Sequence, residues 1–271
     1  LVTMGDTPSL VGQDLFAKNR YDDYLHFHGL AVESTEAMAE LIHKRVRHEL
    51  GIGSHDAPLI EHATMTLAAQ AGINVAQTQV IHLVAANALA IRRFDRVDGQ
   101  RIHSISAGTA IRAATPAGNE PEMGYPQLAR ILRRVGVSQG ATDLADAQGL
   151  FRRVVFNILV DNTDDHEKNH ALLVVNPTAN GRLRLAPAYD VLPTNSGQGY
   201  QEFICGADGQ ASTLANAMSQ CDAFGLQPAQ AAVQVVQVIS VVNSWRAHFE
   251  AIGVSNSDLE SLAERLDGDE L

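Results

Sequence analysis

The sequence predicts an α+β protein, a mixed helix-and-strand part followed by a mostly helical half, long enough for two lobes around a cleft or one large domain. Three observations carry this reading. Apolar residues recur at helical spacing over long segments. Short alternating or β-branched runs cluster between residues 75 and 106. After residue 125 the pattern is helical apart from one short pair of strands. The 271 residues are 45% hydrophobic, enough for a sizeable core.

In chain order, "LAVESTEAMAELIHKRVRHEL" (30–50) predicts a long helix. Met38, Leu41, Ile42 and Val46 fall near one face, and Gly51 follows as a stop. "GIGSHDAP" breaks the chain, and "LIEHATMTLAAQAGI" predicts a second amphipathic helix ended by Gly72. "VAQTQVIHLVAANALAIRRFDRV" reads as two strands joined at "AAN", and "DGQRIHSIS" as a turn and a further strand. Residues 107–123 are small and polar, which predicts a mobile loop. "YPQLARILRRVG" and "DLADAQGLFRRVVFNILVDN" are helical, the second strongly apolar. "HALLVVN" and "RLRLAPAYDVL" read as strands flanking the turn "PTANG". The tail predicts two helices, "PAQAAVQVVQVISVVNSWRAHFEAIG" and "SDLESLAERL". The division expected is residues 1–58 as an N-terminal helical segment, 59–106 as the rest of the small lobe, and 107–271 as the helical lobe.

Bulk properties exclude several classes. A net charge of −11 argues against direct nucleic-acid binding through a broad basic face, although arginines cluster in "LARILRR" and "LFRRV". Two cysteines suggest neither a disulfide framework nor a zinc site, so the chain reads as cytoplasmic. No window approaches 18 consecutive apolar residues, so no membrane association is expected. "LVTMGDTPSL" lacks the charged and apolar regions of a secretory signal. The chain starts at Leu rather than Met, as a trimmed chain or an incomplete reading frame would.

"FNILVDNTDDHEKNHALLVV" (156–175) places Asn162, Asp164, Asp165, His166, Glu167, Lys168 and Asn169 between two apolar runs. Phosphoryl transfer needs a carboxylate to orient and deprotonate the attacking hydroxyl, and oxygen ligands to hold Mg²⁺ against the phosphates. Protein kinases set the catalytic Asp five residues before a metal-binding Asn, with a second metal-binding Asp on a nearby hairpin. Asp164 is five residues before Asn169, and Asp190 follows 21 residues later in "APAYDVLP". Taken alone, D-x-x-x-x-N is more often a helix end and a polar turn. The apolar helix before it and the hairpin after it favour the catalytic reading. Asp165 competes with Asp164 for the base role, and the spacing to Asn169 favours Asp164. His166 reads as a brace of the loop.

"IEHATMTLAAQAGINV", "IRRFDRVDGQRIHSIS", "LFRRVVFNILVDNTDDHEKNHALL", "RLRLAPAYDVLPT" and "WRAHFEAIGV" together resemble the HipA-like serine/threonine kinases of bacterial toxin–antitoxin modules, over about residues 60–271. The resemblance implies a bilobal protein-kinase-like fold and ATP and Mg²⁺ as cofactors. It implies Asp164 as catalytic base and Asn169 and Asp190 as metal ligands. Glu61 matches the family's helix glutamate, and Arg92, Phe94 and Asp95 resemble the hinge strand that touches adenine and ribose. His166 falls with the nucleotide-binding residues. A protein substrate connected with translation and an antitoxin partner are likewise implied.

The front of the chain departs from that family. "GDTPSLVGQ" makes a poor glycine-rich phosphate loop. Of three lysines, Lys18, Lys44 and Lys168, only Lys18 fits a nucleotide lysine, and it lies 43 residues before Glu61. Residues 14–58, with "LHFHGLAVESTEAMAELIHKRVRHELG" at their centre, resemble part of the activation domain of cobalamin-dependent methionine synthase. That family's R-x-x-x-G-Y-P-x-C-P element is missing and "GYPQL" is only a partial echo, so neither S-adenosylmethionine nor cobalamin is expected. Residues 14–52 are expected to be a helical segment that does not complete a phosphate loop, with the Met38 face covered by the small lobe or a partner chain. Two functions follow. One is an ATP- and Mg²⁺-dependent kinase, and the other is a catalytically impaired member that binds a partner. A methyl-transfer accessory role rests on residues 14–58 alone.

Overall fold

In the computed structural model, the described residues are 7–24, 55–84, 86–136, 144–176, 182–194 and 196–267, with isolated positions between 26 and 46. The chain forms two compact units, residues 1–55 and residues 56–271.

In the first unit, α1 spans Thr7–Ala17. Gly12 is buried within it, where a Cβ would meet the Tyr24 ring at 3.4 Å. Phe16 packs edge-on against Tyr21 and Tyr24. The segment "GDTPSLVGQ" is therefore helical from Thr7 onward and forms no glycine-rich loop there. The helix expected over residues 30–50 lies mostly outside the described residues, as does Leu41. Met38, Ile42 and Val46 are exposed within the single chain.

The second unit has the expected bilobal organisation, a mixed region followed by a mostly helical one. It opens with α2, Ala57–Gln70. Asp56 caps the helix by accepting from the Leu59 N–H at 3.4 Å, Pro58 sits in the first turn, and Gly72 closes it at φ +75°. Ala63, Met65 and Leu67 are wholly buried. Strands β1 (Thr78–His82) and β2 (Asn87–Ile91) pair antiparallel and pack on α2. Short strands β3 (Arg96–Val97) and β4 (Gln100–Arg101) turn through Asp98 and Gly99, both left-handed. Strand β5 (Ser104–Ser106) pairs antiparallel with β6 (Ala171–Asn176), which pairs with β7 (Arg182–Leu185). A single sheet thus joins the end of the small lobe to the hairpin after the candidate catalytic loop. The turn "PTANG" lies outside the described residues.

The expected loop over residues 107–123 is half wrong. Ala107–Ala114 forms α3, capped by Ser106, whose Oγ accepts from the Thr109 N–H at 3.2 Å. Its apolar side is made of Ala107, Gly108, Ala110 and Ile111, small residues that hide the helical period. Gly108 is required by close approach, since a Cβ there would fall 2.5 Å from Glu167 Cγ.

Helices α4 (Tyr125–Val135) and α5 (Ala145–Leu159) follow. Helix α5 is buried along most of its length: Leu150, Phe151, Val154, Val155 and Phe156 are all inaccessible. A helix with apolar residues on most of its faces belongs at the centre of a core, and α5 packs against α4, the short helix α6 (Leu214–Ser219) and α7 (Pro228–Val242). The tail helix expected over 228–253 is broken at Asn243–Ser244 into α7 and α8 (Trp245–Ile252). Ser244 Oγ donates to the Val241 carbonyl at 2.7 Å, competing with helix continuation. The break lets Trp245 bury and donate from Nε1 to Asp267 at 2.8 Å, past α9 (Asn256–Leu266).

Candidate active site

Helix α5 ends at Leu159, and Asp161 at φ +52° turns the chain into the loop. The loop is held from beneath. Asn162 donates its backbone N–H to the Asn157 carbonyl at 2.9 Å, and Asn169 its backbone N–H to the His166 carbonyl at 2.9 Å. Thr163 Oγ1 lies 2.6 Å from Thr194 Oγ1 and 2.9 Å from Ser196 Oγ, tying the loop to the segment after Asp190.

The two adjacent aspartates have opposite environments. Asp165 is buried. It accepts from the Tyr125 hydroxyl and sits 3.0 Å from His170 Nε2. Asn157 Nδ2 donates to the same Tyr125 oxygen at 2.9 Å. Burial alone would raise the Asp165 carboxyl, but His170 and the hydrogen bonds outweigh it and hold the group below its ordinary value. Asp164 is exposed to solvent. Its backbone carbonyl accepts from Asn169 Nδ2 at 3.4 Å, leaving its carboxylate outside the buried network.

Asp190 reaches the same place from the other side. Its φ of +56° is a left-handed conformation uncommon for non-glycine residues. Burial, then the Asp164 charge, raise its carboxyl above the ordinary range, and a hydrogen bond from Asn169 partly offsets this. The neighbouring Tyr189 donates its hydroxyl to the Lys168 carbonyl at 2.5 Å. Parallel bridging between Val75 and Ala188 holds this strand beside the exit of α2. Glu61, on α2, is pushed up to about 7 by burial and by Asp190. Asp164, His166, Asn169, Asp190 and Glu61 are thus brought into one polar cluster.

This geometry sets a test on Glu61. A carboxyl raised from 4.5 to about 7 penalises folding progressively as pH rises from 4.5 to about 7, and fully above that. Glu61→Gln is expected to be more stable than the parent at pH 8 by roughly 2–3 kcal/mol, with the gain vanishing near pH 4. Chemical denaturation at the two pH values measures it.

Arg92, Phe94 and Asp95 line a neighbouring cleft of about 490 Å³ with Ile105, Ala171 and Tyr189. Phe94 packs on Tyr189 with ring centroids 5.5 Å apart. Arg92 donates to Gln77 Oε1 at 3.2 Å. Asp95 is buried and paired with Arg93 at 2.8 Å and Arg96 at 2.6 Å. The hydrogen bond from Arg93 draws its carboxyl down to about 2. Lys18 belongs to the first unit and pairs with Asp14 at 2.8 Å, one turn away.

For Mg²⁺, hard oxygen donors in small number suffice, because phosphate and water complete the shell. Asp190 and Asn169 supply two such donors in mutual contact, so the residues present fit the ion. Among the described residues no group of three or more His, Cys, Asp or Glu side chains forms a metal cage.

Sequence reasoning missed the brace of Tyr125, Asn157 and His170. The only signal was that His170 follows Asp165 at the same spacing as Asn169 follows Asp164.

A family model described as HipA-like C-terminal domain matches residues 13–245. The chain belongs to the HipA-like C-terminal domain family. The serine/threonine-protein kinase toxin HipA of Shewanella oneidensis is 27% identical over 164 residues, which cover 55% of this chain and 36% of the toxin. The solved Shewanella oneidensis HipA, in complex with HipB and operator DNA, superposes with a TM-score of 0.59 at 17% identity, over 79% of this chain and 55% of that one. That likeness shows the fold. A stretch of 50 residues is 52% identical to methionine synthase of Mycobacterium tuberculosis, 18% of this chain and 4% of the synthase. The chain therefore spans about a third of the toxin and a small part of the synthase. Among the described residues no helix is long and apolar enough to cross a membrane.

Proposed function

We propose that the chain is an ATP- and Mg²⁺-dependent serine/threonine protein kinase of the HipA type, transferring the γ-phosphoryl group to a protein hydroxyl. The single observation that carries this is the division of labour in the loop. Asp165 is locked into a buried brace while Asp164, one residue away, faces solvent beside Asn169 and Asp190. Asp164 orients the attacking hydroxyl and takes its proton as the oxygen bonds to the γ-phosphorus and the bond from that phosphorus to the departing ADP oxygen breaks. Asn169 and Asp190 would hold the metal, which when bound neutralises charge on the phosphates. The cleft along Arg92, Phe94 and Asp95 would take the adenine and ribose, and Glu61 and His166, beside Asp190, would face the phosphates and metal. The partner would be an antitoxin, by extension from the Shewanella complex, and a protein substrate connected with translation is what the resemblance to the HipA-like kinases implies.

The experiment is calorimetric titration of Mg·ATP. Asp190→Ala is expected to weaken binding by about ten-fold or more. Removing Asp190 also relieves its repulsion with Asp164 and Glu61, so the variant should stay folded. Unchanged affinity in the folded variant would reduce Asp190 to a turn residue.

A second reading, an impaired kinase that keeps the fold to bind a partner, is favoured by the front of the chain. Thr7–Ala17 is a helix rather than a phosphate loop, and Lys18 is engaged by Asp14. Absence of Mg·ATP binding by the wild-type chain would select it.

A further inference from the structure

A second cleft, of about 410 Å³, lies beside α5, between residues 72–74 and β7 with the residues just after it. Three arginines line it, Arg152, Arg153 and Arg184, against one carboxylate, Asp146. Arg153 is only 4% exposed. Its Nη2 donates to the carbonyls of Asn74 and Ala186 on the cleft wall. Its Nε and Nη1 are buried without a hydrogen-bond partner. Arg152 is held over the mouth by donating from Nε to the Gly72 carbonyl at 3.1 Å and from Nη1 to Gln234 Oε1 at 3.3 Å. Arg184 stands half-exposed at the rim, with Nε 3.9 Å from Asp146 Oδ1. Asp146 itself accepts from the Leu185 N–H at 3.0 Å.

A guanidinium that served only to staple two carbonyls would not need two further donors taken out of water. Buried polar groups are almost always paired, and a buried charge above all. Burial is severe enough to lower the Arg153 guanidinium to about 10, in spite of nearby anionic groups. The missing partner has to be an acceptor, small enough for the cleft and matched to a planar fork of N–H donors. Oxyanions meet that requirement, and the volume suits a small molecule rather than a polypeptide.

We infer that this cleft binds a small phosphate-bearing compound, either inorganic phosphate or a phosphate monoester, with Arg153 at its floor and Arg152 and Arg184 at its mouth. The site borders the nucleotide cleft at Phe94 but shares none of that cleft's charged residues. It does not depend on the kinase reading.

The test is thermal unfolding and calorimetry of the full chain with inorganic phosphate, against chloride at equal ionic strength. Phosphate is expected to raise the unfolding midpoint of the wild-type protein. Arg184→Gln, at a half-exposed position, should fold normally and bind phosphate about ten-fold more weakly, the loss of one charge-assisted contact. Gly149→Leu, on α5 at the cleft wall, should block the space and remove the response; outside the helix backbone, the atom a Cβ there would meet among the described residues is the Arg152 side chain's Nη2, at 3.8 Å. Asp190→Ala, which alters the separate polar cluster, should respond to phosphate as the wild type does. No phosphate response in the wild type, or a full response in both Arg184→Gln and Gly149→Leu, overturns the inference. A response lost in Asp190→Ala but kept in Arg184→Gln would place the anion at the nucleotide site and overturn it equally.

Discussion

Asp164→Asn is expected to lower phosphoryl transfer by about 10²–10⁴, the usual cost of losing a positioned base, while leaving stability unchanged. The stability half of this follows from exposure: Asp164 faces solvent, and its carboxylate lies outside the buried network. Asparagine keeps the shape and still accepts a hydrogen bond, but cannot take the hydroxyl proton. A phosphotransfer assay paired with a thermal melt separates the two effects. Full activity in Asp164→Asn would remove it from the base role.

The neighbouring substitution should behave in the reverse way. Asp165→Ala is expected to cost about 3–5 kcal/mol of stability, because it leaves a buried tyrosine hydroxyl and a buried imidazole without their acceptor. Tyr125, His170 and Phe203 form one aromatic cluster around this carboxylate, with centroids 5.0–5.2 Å apart, so there is little room for water to replace it. Acid should produce a milder version of the same loss. The Asp165 carboxyl lies below its ordinary value of 3.8. Its contribution is therefore complete above that value and falls away as pH drops through the folded-state value. Urea titrations of Asp165→Ala and the parent at pH 7 measure the first effect. A variant as stable as the parent would mean the buried network is not what holds the loop.

Much of the fold was legible because its signals are local. Pro58, Gly72 and the apolar spacing of residues 59–68 delimit α2, and the largely apolar run 150–160, interrupted by Arg152, Arg153 and Asn157, marks the central helix before any contact is known. The placement of the residues proposed for the site rests on signals of the same local kind, with Asp164 exposed and Asn169 buried. Asp164, Asn169 and Asp190 sit at spacings set by one loop and one hairpin. What the sequence hid was non-local. Residues 107–114 are helical because Ser106 caps them and Gly108 lets them rest on Glu167, and neither fact has a periodic signature. The bracing of Asp165 needs Tyr125, forty residues upstream, and no spacing rule reaches that far. The break at Asn243–Ser244 is a side-chain to backbone competition, inside a run whose apolar period continues across it.

The short bridge between the exit of α2 and the strand leading to Asp190 has a mechanical consequence. The Ala76 N–H donates to the Ala188 carbonyl and the Ala188 N–H to the Asn74 carbonyl, both at 2.8 Å. The segment that follows the helix bearing Glu61 is thus riveted to the turn bearing Asp190, two residues before that acid. A control mechanism that swings such a helix outward would have to shear both bonds first, together with the buried contacts of Ala63, Met65 and Leu67. In this chain the two acids form a fixed jaw, and any gating of the cleft falls to whatever closes over it from the opposite side.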